Sequence, residues 1–112
     1  MRTERDYRDY LNDMLEAADK VALFIRGMTE EQFLVDEKTQ YAVVRALEII
    51  GEAAKKVPAA FRTRHPDLPW REVAGMRDKL VHDYFGVNAA VVWKTATEDA
   101  PGIAAALKKM ID

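Results

Sequence analysis

Apolar residues recur along this chain at intervals of three and four, and no stretch alternates with period two long enough to make a strand. That spacing traces one face of an α-helix, so it confines the chain to an all-α fold. Tyr7, Tyr10, Leu11, Met14, Leu15, Ala18, Val21, Ala22 and Ile25 form the first such face, and Gly27 is a suitable stop. Thr29 with Gln32 has the pattern of a capping box and opens a short helix from Glu30 to Leu34. Asp36 then caps a long helix with Val43, Leu47, Ile50, Ala54 and Val57 along its seam. Ala42, Ala46, Ile49 and Ala53 add a stripe of mostly small residues, suited to close packing within one subunit or between two. Pro58 ends this helix, and the three-proline stretch from Pro58 to Pro69 reads as the one substantial loop. Pro69 suits the start of the next helix, expected to run to about Tyr84 with Gly86 as its stop. Asn88 caps the last helix, which Pro101-Gly102 should kink or divide. The expectation is a bundle of four main helices plus a short one.

The chain of 112 residues makes one domain, residues 1–112, with a modest core. It has no cysteine, which excludes disulfides and thiolate metal sites. Two histidines far apart in sequence give no metal-ligand pattern either. Its apolar runs are too short to span a membrane and its first residues lack a secretory apolar region, so the expected location is cytoplasmic. The net charge of −2 argues against indiscriminate nucleic-acid binding, yet the charge is unevenly placed. From Lys55 to His82 seven bases face three acids, a local +4, while the remainder carries ten bases against sixteen acids, −6. Such a region either steers a polyanion to one place or is simply a solvated surface.

Residues 77 to 84, Arg-Asp-Lys-Leu-Val-His-Asp-Tyr, hold the candidates for chemistry. On a helix, Trp70, Val73, Arg77, Leu80, Val81 and Tyr84 share a face, so Arg77 sits among apolar side chains. A guanidinium is costly to bury unpaired. Arg77 therefore either meets a carboxylate, with Glu48 and Glu52 as candidates, or lines a cleft with His82 and Tyr84. Arginine can hold a phosphate in a bidentate fork and stabilise charge developing on it. Histidine suits proton transfer near neutral pH, and Asp78, one turn before His82, can orient its ring. The bland reading leaves His82 stabilised by a helix C-terminus and Tyr84 in the core. His65, preceding a proline, has no evident chemical role. Glycine-rich phosphate loops, nucleophile elbows and dinucleotide fingerprints are absent.

The motif and its flanks resemble the HepT-like toxins of the HEPN superfamily. The shared signature is Arg77, four residues, His82, one residue, Tyr84. Around it stand Arg5-Asp6, Tyr10-Leu11, Asp13-Met14-Leu15-Glu16, the run from Val44 to Ala53, Pro69-Trp70-Arg71-Glu72, Gly75-Met76, Tyr84-Phe85-Gly86-Val87 and Val92-Trp93. The resemblance implies an all-α HEPN-type bundle forming a homodimer, with motif residues of both subunits facing one cleft. It implies a metal-independent endoribonuclease acting as toxin of a type II toxin–antitoxin system, with no cofactor. Arg77 would bind the scissile phosphate and His82 would take the acid/base role as the ribose 2′-hydroxyl attacks. The partner would be a minimal nucleotidyltransferase antitoxin that transfers AMP to Tyr84. Asp78 stands where the family often has asparagine. The alternative is a non-catalytic HEPN module that binds a nucleotide or its partner.

Overall fold

The computed structural model describes residues 6–76, 78 and 88–111, and it is helical with no strand among them. Helix α1, Tyr7–Phe24, starts at Asp6, whose carboxylate accepts from the Arg8 amide at 2.9 Å. The Asp9 side chain accepts in turn from the Asp6 amide, so the otherwise orphaned N–H groups of the first turn find partners. Leu11, Met14, Ala17, Ala18 and Val21 are buried along one side. The chain then reverses through Gly27, which has φ +74°, a left-handed conformation that a Cβ would strain.

The expected capping box is present at Thr29 and Gln32 and opens α2, Glu30–Leu34, whose Phe33 is fully buried. Helix α3, Glu37–Lys56, begins at Asp36, where both the amide and the hydroxyl of Thr39 donate to the carboxylate. The amide bond first, and the hydroxyl bond second, hold this carboxyl below its ordinary pKa. The expected seam of Val43, Leu47, Ile50, Ala54 and Val57 is buried throughout. In the second stripe Ala46 and Ala53 are buried, whereas Ala42 and Ile49 are only half-buried. Because α3 packs along α1, the buried Ala46 and Ala53 show that part of the small-residue stripe serves packing within the chain.

The Pro58–Pro69 stretch departs from its expected loop form. It contains a helix, α4, Ala59–Arg64. The prolines bracket this helix rather than forbid it: Pro58 stands at its N-cap with φ −59°, and Pro66 follows its end. Phe61 supplies the anchor, buried with its ring centroid 5.0 Å from Tyr7 and edge-on to Trp70 at 6.2 Å. Helix α5, Trp70–Ala74, follows, with Pro69 at its N-cap. Gly75 makes a turn at its end, and Met76 and Asp78 are again helical. The expected continuation to Tyr84 and the stop at Gly86 lie outside the described residues.

Asn88 caps α6, Ala89–Lys94, by accepting from the Val91 amide. The expected disturbance at Pro101 takes the form of a π-helical stretch, Thr95–Asp99, before α7, Ala100–Ile111. Proline brings no N–H and its ring collides with the carbonyl four residues back. Widening the preceding turn relieves both problems without ending the helix. The Thr95 and Thr97 hydroxyls bond back to the carbonyls of Val91 and Trp93. Helix α1 lies between α3 and α7, and α5 packs against α3. The core is where Met14 and Val21 meet Leu47, Ile50, Val92 and Leu107.

Candidate active site

Four residues carry the chemistry expected from the sequence, and they fall differently. Arg77, His82 and Tyr84 lie outside the described residues, and so does any pairing of Arg77 with Glu48 or Glu52. Asp78 is described: it is helical and exposed, its Oδ2 3.9 Å from Nζ of Lys55 at the end of α3. The approach to the motif is well defined. Trp70 and Val73 are buried as the helical face required, and Met76, which that face did not include, is buried with them. The Trp70 indole N–H donates to the His65 carbonyl at 2.9 Å and so pins the start of α5 to the end of α4.

His65 has a structural place. Its ring stacks on Phe61 with centroids 4.2 Å apart, within the aromatic cluster that docks α4. Glu52 stands 3.5 Å from Arg45 on the same helix. Lys55 belongs to the basic segment of the sequence, but no sequence pattern joins it to Asp78. Those two residues are 23 positions apart, and only the packing of α5 against α3 brings them together.

A cleft of about 860 Å³ opens between α5 and the π-helical stretch, with Leu68, Val73, Met76 and Ile103 among its apolar walls. Its described rim carries Asp67, Glu72, Glu98 and Asp99 against a single guanidinium, Arg71. That excess of carboxylates repels a phosphodiester, so this cleft is a poor place for a polyanion. The described residues hold no group of three or more histidine, cysteine or carboxylate side chains able to bind a metal. They also contain no helix long and apolar enough to cross a membrane.

An all-helical domain whose α5 leads into an Arg-x4-His-x-Tyr sequence points to a helical ribonuclease of HEPN type. Residues 14–110 match the family model described as Ribonuclease HepT-like. The chain belongs to that family of HepT-like ribonucleases. It is 51% identical over 107 residues to a protein of Thermococcus cleftensis named "Probable ribonuclease HepT", covering 96% of this chain and 97% of the relative. It is 45% identical over 108 residues to a protein of Methanocaldococcus jannaschii named "Putative RNase MJ1216", covering 96% and 89%. No solved structure matches the chain.

Proposed function

We propose that this ribonuclease is the toxin of a two-component toxin–antitoxin system, cleaving RNA internally without a metal. The observation that carries the reading is the Arg77–His82–Tyr84 motif within a family match spanning residues 14–110. The active unit is a homodimer in which the motifs of both subunits face a shared cleft. There the ribose 2′-oxygen attacks the adjacent phosphorus, and His82 handles the proton transfers. The P–O bond to the next nucleotide's 5′-oxygen breaks, and that oxygen leaves with a proton. The products are a 2′,3′-cyclic phosphate and a 5′-hydroxyl. Arg77 binds the phosphate and stabilises the charge that builds on its oxygens.

Regulation falls to Tyr84. A nucleotidyltransferase partner transfers AMP to the phenol oxygen, releasing pyrophosphate from ATP. The attached phosphate then competes for Arg77 while the nucleoside blocks the substrate. Asp78, one helical turn before His82 in the sequence, is the supporting residue and orients the imidazole for proton transfer.

Two measurements test this reading. Purified protein incubated with RNA should give ends bearing cyclic phosphate, in the presence of a chelator, and His82→Ala should abolish them. Intact mass after co-expression with a nucleotidyltransferase encoded next to this chain's gene should rise in AMP-sized steps, and Tyr84→Phe should remove the increment. Undiminished cleavage by a well-folded His82→Ala protein would end the assignment of His82. A mass increment that survives Tyr84→Phe would end that of Tyr84.

A further inference from the structure

One end of the bundle gathers positive side chains that the proposed reaction does not use. Three contacts establish that α1 begins there, α3 ends there and α4 lies across it. Tyr7 packs on Phe61, Lys56 Nζ lies 5.6 Å from the Tyr10 ring centroid, and Lys55 reaches Asp78. From Lys55 to Pro66 the sequence holds four bases, Lys55, Lys56, Arg62 and Arg64, and no acid. Lys56 is engaged with the Tyr10 ring. Arg62 and Arg64 have no ion pair among the described residues, and Arg62 Nε is buried with no hydrogen-bond partner. A buried donor without an acceptor is a cost to the fold, so packing rather than pairing holds Arg62 in place. Of the acids near this end, Asp6 and Asp9 serve the α1 capping box and Asp78 lies beside Lys55, while Asp67, just past Pro66, stands on the rim of the cleft.

Asp78 directly follows Arg77 in the chain. Lys55 thus ties this basic surface to Asp78, the chain neighbour of Arg77. We propose that Lys55, Arg62 and Arg64 form a track that holds RNA phosphates flanking the one to be cleaved, an inference that rests on the ribonuclease reading. Contacts of this kind position a strand without reading its bases. They contribute affinity through release of condensed counterions. The acidic rim of the cleft between α5 and the π-helical stretch works in the same direction, because it leaves the basic end as the favourable approach for a polyanion.

The decisive experiment measures binding of a single-stranded 2′-O-methyl RNA, which cannot be cleaved by 2′-hydroxyl attack, across a salt series. Lys55→Gln and Arg64→Gln should each weaken binding by about three- to tenfold at low salt and make the log–log salt slope shallower by about 0.7. Lys55 and Arg64 are both exposed, and Arg62 is left intact because its Nε is packed inside. Lys20→Gln, which removes the same charge from an exposed position on α1 paired with Glu16, should leave both quantities unchanged. Cleavage gives the second readout: the two track variants should lose activity on a long RNA but keep it on a dinucleoside monophosphate, which has no flanking phosphates. Unchanged binding in both track variants, or an equal loss in Lys20→Gln, overturns the track. Binding that follows the track pattern in a wild-type protein that cleaves neither RNA would overturn the ribonuclease reading and leave the track standing.

Discussion

At the scale of single residues, the Asp78–Lys55 pair shows how little a surface ion pair holds. The side chains are 73% and 47% exposed and 3.9 Å apart. Pairs of this kind are worth about 0–1 kcal/mol and weaken with salt. Asp78→Asn should therefore shift the urea midpoint barely at all. Its effect should appear in function: removing a carboxylate next to Arg77 should strengthen RNA binding at low ionic strength, and the gain should fade as salt is added. A fall in cleavage rate alongside that gain in binding would support its proposed role in orienting His82, and an unchanged rate would remove that role. Arg77→Ala removes the group proposed to stabilise the charged phosphorane, and a loss of cleavage of about 100-fold or more is expected. Gly27 makes a cleaner test of the backbone. It has φ +74° and nothing stands within 4 Å of the place a Cβ would take. Gly27→Ala therefore meets only conformational strain, about 1–2 kcal/mol by denaturant unfolding.

At the scale of elements, the helix starts were legible because they are local. Asp36, Thr29 with Gln32, and Asn88 each cap the helix that the sequence assigned to them. A cap needs only residues within one turn, so its chemistry is written in consecutive positions. Asp36 also ties an element to pH. Its folded carboxyl is held below the ordinary value by Thr39, so its contribution is fully present above the ordinary aspartate range. As pH falls through the depressed folded value the contribution is lost. Asp36→Ala should lower the thermal midpoint at neutral pH, and the gap to wild type should close only in strong acid. Helix α4 was not legible. Three prolines in twelve residues signal a loop, and six helical residues between them are too few to persist alone. What holds them is Phe61, whose partners Tyr7 and Trp70 come from other elements. The disturbance expected at Pro101 was legible in its position but not in its form, because a kink and a widened turn both accommodate the ring.

At the scale of the whole molecule, α1 and α3 form the frame against which α5 packs. Leu47 is fully buried on the α3 seam, so Leu47→Ala should cost about 2–5 kcal/mol in unfolding free energy. Loss of ribonuclease activity in that variant should track the unfolded fraction rather than a change in the chemistry.

Consecutive residues were enough to specify the helical class, four of the helix starts, the buried seam of α3, that of α1 except that Ala17 rather than Ala22 is buried, and the motif whose resemblance leads to the HepT-like family. These depend on periodicity and on neighbours within a turn, and both can be read along the chain. Packing was needed to make α4 a helix, to draw His65 into an aromatic cluster, and to set Lys55 beside Asp78. Packing also separates acidic from basic charge, with the carboxylates around the cleft and the bases where α3 ends. Each of those facts depends on side chains that are distant in sequence and meet only when the helices pack, and helical periodicity specifies a face without naming the element that will cover it.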